Sequence, residues 1–118
     1  MEVWELDFEW LRVRHFIKDN LGAAQMPDLK GILFLIGLQE YGKWNNTREF
    51  SKEEKQDLMH VAVCCLLEKE GYYEYKGRDQ DGWPHWDEGA PFKVKGAKEQ
   101  EQILKVKIIE YFNQQYFN

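Results

Sequence analysis

Basic clusters, cysteine pairs and long apolar runs are all scarce in this chain. Arginine occurs only at positions 12, 14, 48 and 78, and the formal net charge over 118 residues is −5. Nucleic-acid binding draws most of its affinity from clustered Lys and Arg meeting phosphates, so no nucleic-acid partner is expected. An acidic chain also repels anionic membranes, and no membrane partner is expected either. The two cysteines, Cys64 and Cys65, are adjacent. Neighbours on a helix point about 100° apart and do not bridge easily, so two reduced core thiols and a reducing compartment are the expected state. The strongest apolar run, Ile32 to Leu38, falls far short of the ~20 residues that span a bilayer. The start, MEVWELD, is acidic where a secretory signal is basic, which points to the cytoplasm. Also missing are a nucleophile elbow, a phosphate-cradling Gly loop, a Cys-x-x-Cys pair and a zincin motif.

What the chain does have is aromatic mass. Aromatics make up 15% of the residues and include five Trp; each large ring buries roughly 150–250 Å², so much of a core or of a binding surface is aromatic. The length suits one globular domain over residues 1–118, with a core that needs neither disulfides nor a structural metal.

Hydrophobic periodicity predicts four helices. In the first, about Trp4 to Leu21, Leu6, Trp10, Val13, Ile17 and Leu21 recur at helical steps beside a second stripe of Trp4, Phe8 and Leu11. Together they predict one wide buried face, with Gly22 as the stop. The second, Leu29 to Tyr41, follows Pro27 and Asp28 and is apolar on nearly every side, as a helix at the centre of a fold is. Gly31 and Gly37 cost stability inside it, so one of them is expected to admit a close neighbour. A buried strand at Ile32–Ile36 competes for this segment. The third opens on a capping box, Ser51-Lys-Glu-Glu54, runs apolar from Leu58 to Leu67 except for His60, and ends at Gly71. The fourth, about Lys98 to Tyr116, places Glu99 and Glu101 in its first turn and Ile103, Leu104, Ile108, Tyr111 and Phe112 on one face.

Between helices three and four lies GYYEYKGRDQDGWPHWDEGAPFKVKG, Gly71 to Gly96. Tyr72–Lys76 has strand composition, Asp81-Gly82 is a hairpin turn signal, and Phe92–Lys95 suits another short strand. The expected architecture is therefore mainly α: a four-helix, bundle-like single domain with a short β-hairpin between helices 3 and 4. A winged-helix-like α+β domain shares the helix-then-hairpin order. Residues 61–67 are apolar, however, where a recognition helix carries polar and basic groups. Connections this long are uncommon in compact domains unless they carry function or structure of their own.

Two constellations carry chemistry. On helix three, Asp57, His60 and Cys64 lie on one stripe at metal-ligand spacing; they are the candidate ligands if a metal binds. The bland alternative is the polar edge of an amphipathic helix, and carboxylate-bridged bundle sites need two Glu-x-x-His helices and two further Glu, which this sequence lacks. No metal and no cofactor is therefore expected. In the connection, Tyr73, Tyr75, Arg78, Asp81, Trp83, His85, Trp86 and Asp87 form the candidate binding surface. Asp79-Gln-Asp81-Gly82 hints at a calcium loop, but Trp83 and Ala90 occupy positions where ligands belong. In an extended stretch Trp83, His85 and Asp87 share one face and Trp86 takes the other. His85 with Asp87 then makes an acid–base pair, and the Trp rings make stacking platforms. The competing reading has the two Trp rings covering one end of the helices while His85 and Asp87 are solvated.

Phe50 to Trp86 and Pro27 to Gly42 resemble segments of small uncharacterised bacterial proteins. That resemblance implies a bacterial, cytosolic, single-domain origin and carries over no site residue. The leading functional expectation is a non-enzymatic interaction module working through residues 72–92. Its partner is another protein or, in a homodimer, a second copy, because Tyr and Trp concentrate at interface hot spots. A metal-assisted enzyme using Asp57/His60 or His85/Asp87, and a sugar-like ligand binder with Trp platforms, are the alternatives.

Overall fold

The computed structural model describes residues 2–20, 25–42, 49–90 and 96–117; the Gly22 stop and the Phe92–Lys95 strand lie outside them. In chain order the elements are α1 (Val3–Asn20), α2 (Leu29–Tyr41), α3 (Lys52–Leu67) with a 3-10 turn (Glu68–Glu70), β1 (Tyr73–Arg78), β2 (Pro84–Glu88) and α4 (Ala97–Gln115). The fold is mainly α, with an antiparallel two-stranded hairpin between the third and fourth helices. Segment two is helix throughout, which removes the strand reading of Ile32–Ile36. Among the described residues no helix is long and apolar enough to cross a membrane. The chain divides into two compact units, residues 1–29 with 94–118, and residues 30–93.

The first unit pairs α1 with α4. Leu6, Trp10, Val13 and Ile17 of α1 are buried, as are Ile108, Ile109 and Phe112 of α4. The two helices run in the same direction: Val3 and Leu6 share a groove with Ile103 and Val106, while Phe16 packs against Phe112, Tyr116 and Phe117 at ring distances of 5.1–6.2 Å. Arg14 Nε donates to the carbonyl of Pro27 at 2.8 Å, holding the residues that lead into α2. The expected wide buried face of α1 needs correction. Trp4, Phe8 and Leu11 are exposed. At 100° per residue their stripe lies on the side of the helix opposite Leu6, Trp10, Val13 and Ile17, so one neighbour cannot cover both.

The second unit is built on α2 and α3. Only Lys30 and Gln39 of α2 are exposed, which is the all-round burial its composition demands. The reason the two helices come so close is Gly37. A Cβ there would fall on the backbone carbonyl of Leu58, so the helices meet backbone to backbone where a side chain is missing. Around that point Leu38, Tyr41 and Leu58 form a cluster with Phe34, Leu35, Phe50 and Trp83 packed against it. Each fully buried side chain of this kind contributes about 1.5–3 kcal/mol.

The ends of α3 follow from its sequence. Glu54 N–H donates to Ser51 Oγ at 3.1 Å and Ser51 N–H to Glu54 Oε1 at 3.0 Å, closing the capping box. At the other end the 3-10 turn tightens the chain, and Gly71 stops it with φ +81 while its N–H donates to the Glu68 carbonyl. From there the chain enters β1.

Candidate functional site

The hairpin takes its second strand from Pro84–Glu88, the Trp- and His-bearing stretch itself. Tyr73 faces Glu88, Glu74 faces Asp87, Tyr75 faces Trp86, Gly77 faces His85 and Arg78 faces Pro84, with an irregularity between Tyr75 and Gly77. The turn is organised by Asp79. Its Oδ1 accepts from the backbone N–H of Asp81 at 2.9 Å and of Trp83 at 3.0 Å, and its Oδ2 meets His85 Nε2 at 2.8 Å. A carboxylate offers only acceptors, so Nε2 carries the proton. The His85 hydrogen bond, then the Trp83 N–H, hold the Asp79 carboxyl below its ordinary value. This accounts for the calcium-like spacing: Asp79 caps a turn.

His85 therefore finds its carboxylate in Asp79, six residues earlier, and not in Asp87. Asp87 lies 3.8 Å from Lys76 Nζ, which also meets Glu74 at 3.1 Å; the hydrogen bond that Lys76 donates to Glu74 raises the Lys76 pKa.

Two expected binding residues anchor the hairpin. Trp83 stacks on Tyr41 of α2, ring centroids 4.4 Å apart and planes 18° from parallel. Arg78 donates to three carbonyls: Glu40 at 2.6 Å, Tyr41 at 2.8 Å and Gly82 at 2.8 Å. The first two are at the C-terminal end of α2, where unpaired carbonyls and the negative end of the helix dipole attract a cation. One guanidinium thus ties the turn to the helix.

A groove of about 240 Å³ is lined by Glu40, Cys65, Glu68, Tyr75, Arg78, Pro84 and Trp86. Tyr75 and Trp86 form the cross-strand aromatic pair, centroids 5.3 Å apart. Trp86 Nε1 is buried and, among the described residues, has no hydrogen-bond partner. Such a buried donor left idle costs about 1–3 kcal/mol. Cys65 Sγ donates to Glu40 Oε1 at 3.1 Å. Burial, then this bond and the charges of Glu40 and Glu68, push the Cys65 thiol far above its ordinary value. The groove thus gathers two carboxylates, one guanidinium already engaged by three carbonyls, and two aromatic rings.

No family model, no curated protein and no solved structure matches the chain.

On α3, Asp57 and His60 are exposed while Cys64 is buried. His60 Nε2 lies 3.5 Å from Cys64 Sγ and its ring meets Tyr73 edge-on at 6.0 Å. Burial raises the Cys64 thiol to about 11, which keeps it protonated at neutral pH and a poor ligand. Among the described residues no three His, Cys, Asp or Glu side chains gather closely enough to hold a metal ion. Neither His60 nor His85 lines the groove. Of the eight expected binding residues, the structure places Tyr75, Arg78 and Trp86 on it. Tyr73 is half-buried, with its phenol pKa raised chiefly by burial. Asp81, His85 and Asp87 are exposed on the hairpin. Glu40, Cys65 and Glu68 were missed. Cys65, in the last turn of α3, and Glu68, first in the 3-10 turn that follows, are only three residues apart, but only the fold brings Glu40 of α2 beside them.

Proposed function

We propose that this chain is a non-enzymatic interaction module whose working surface is the 72–92 segment, and that its groove receives a basic side chain of a protein partner. One observation carries the reading: two carboxylates and two aromatic rings line one groove, and one of those rings, Trp86, has a buried indole donor with no partner among the described residues. A Lys or Arg side chain entering the groove meets Glu40 and Glu68 as counter-charges and the Tyr75 and Trp86 rings as cation–π faces. A shift of the Trp86 ring that uncovers its buried Nε1 would let the backbone carbonyl of the incoming Lys or Arg supply the acceptor it lacks. Arg78, held by three carbonyls, has little freedom to fill the groove itself.

The catalytic alternative draws less support. The His85–Asp79 pair is exposed and engaged in holding a turn, and acid–base catalysis works on a substrate seated within hydrogen-bond reach. A sugar platform needs an open ring face, and Trp83 has one face on Tyr41.

Calorimetric titration of the full chain with short acetylated peptides tests the proposal, comparing Lys- or Arg-containing sequences with acidic ones. Basic peptides are expected to bind and acidic ones not. Glu68→Gln and Trp86→Ala should each weaken binding by about 1–2 kcal/mol, with the Glu68→Gln melting temperature unchanged. Equal or absent heats for both peptide classes contradict it.

A further inference from the structure

The exposed stripe on α1 carries a second, independent inference. Trp4 is 70% exposed, Phe8 63% and Leu11 44%. Together they form a contiguous apolar strip of the kind that monomeric proteins rarely leave open to water. The charges beside the strip are arranged by sign. Glu5 and Asp7 flank its first half on opposite sides, and Arg12 and Arg14 flank its second half on the same two sides, each seven residues from its acidic counterpart.

We infer that α1 pairs antiparallel with α1 of a second copy, making a symmetric homodimer. When Phe8 of each copy sits on Leu11 of the other, Glu5 of each faces Arg12 of the other, and Asp7 faces Arg14. All four pairs are attractive. Two-fold symmetry requires this kind of self-complementary patch, and residues seven apart with opposite sign are how one helix supplies both halves of it. The existing contacts of the arginines leave room for this. Arg12 reaches Glu9 at 3.3 Å and lies 4.2 Å over the Phe117 ring, yet a guanidinium has five donors. Arg14 uses its Nε on Pro27. Six apolar side chains, three per copy, together with the charged side chains that flank them bury on the order of 1,000 Å², the lower end for a specific interface. A dimer that dissociates in the micromolar range is the consequence.

Sedimentation velocity of the full chain across the micromolar range tests this. The chain is expected to sediment as a concentration-dependent dimer. Phe8→Glu, at an exposed position, should raise the dimer dissociation constant by at least about 100-fold with an unchanged circular-dichroism melt. Glu5→Arg and Arg12→Glu should each weaken self-association by about tenfold or more, because each leaves like charges opposed. Mixing those two variants restores every pair and should recover the wild-type dimer. A monomer at all concentrations overturns the inference, and binding of that monomer to phosphatidylcholine vesicles would assign the stripe to lipid instead. A Glu5→Arg variant that dimerises like the wild type overturns the antiparallel arrangement. None of these readouts involves the hairpin groove.

Discussion

Trp83 and Trp86 stand three residues apart and have opposite duties. Trp83 lies flat on Tyr41 within the α2–α3 cluster, whereas Trp86 lines the groove with its N–H idle. Trp83→Ala should therefore destabilise the protein by about 2–4 kcal/mol in chemical denaturation and loosen the whole hairpin. Trp86→Ala should cost clearly less stability and act on binding. Equal losses of stability in the two variants would contradict this division. Strand alternation put the two rings on opposite faces but gave neither its duty, and what distinguishes them is which one α2 reaches. His85 teaches the same lesson. Strand alternation nominates Asp87 as its partner, but the turn folds Asp79 back onto it, and alternation carries no information across a turn. Asp79 also sets a pH dependence. Its folded pKa is lower than its ordinary value, so its contribution is fully present above about pH 4. That contribution is lost as pH falls through the lowered value. Near-ultraviolet circular dichroism should show the Tyr41–Trp83 signal fading over that acid range in the wild type and a flatter profile in Asp79→Asn; identical profiles would contradict the assignment.

Among the elements, α3 was the most legible, because both of its ends are written in side-chain chemistry: Ser51 and Glu54 close the capping box, and Gly71 takes the left-handed stop. For α2, unbroken apolar composition gave its burial, and its glycines gave the close approach. Which glycine served was not legible. It is Gly37, against the Leu58 backbone. Gly37→Ala should destabilise the chain by about 2–3 kcal/mol or more, despite the better helix propensity of Ala, as read by thermal unfolding. A neutral or stabilising result would contradict the backbone contact. Helix α1 shows the limit of periodicity. The pattern places Trp4, Phe8 and Leu11 on a common stripe, but it does not say whether anything covers that stripe. The hairpin was legible as to its place and first strand. Its second strand was only half-legible, because the leading Pro84 and the run of charged and aromatic residues after it read equally well as a loop.

Over the whole chain the charge of −5 and the two carboxylates on the groove act in the same direction. On the proposed function they would draw a basic partner toward the hairpin and make the encounter sensitive to salt, since exposed charges are screened beyond about 8 Å at physiological ionic strength. Bulk composition excluded polyanionic partners through the shortage of arginine but named no partner, and the groove itself required Glu40, Glu68, Tyr75 and Trp86 to be brought together from four elements. The central claim is that the idle indole donor of Trp86 is completed by an incoming peptide. The most direct measurement is a two-dimensional nitrogen–proton spectrum of the five tryptophan indoles, with the Trp86 signal identified by its loss in Trp86→Phe. On addition of an acetylated Lys- or Arg-containing peptide, that proton should move downfield as it gains an acceptor, and the Trp83 signal should move least among the hairpin pair. A Trp86 indole signal that stays fixed through saturating basic peptide would contradict the account.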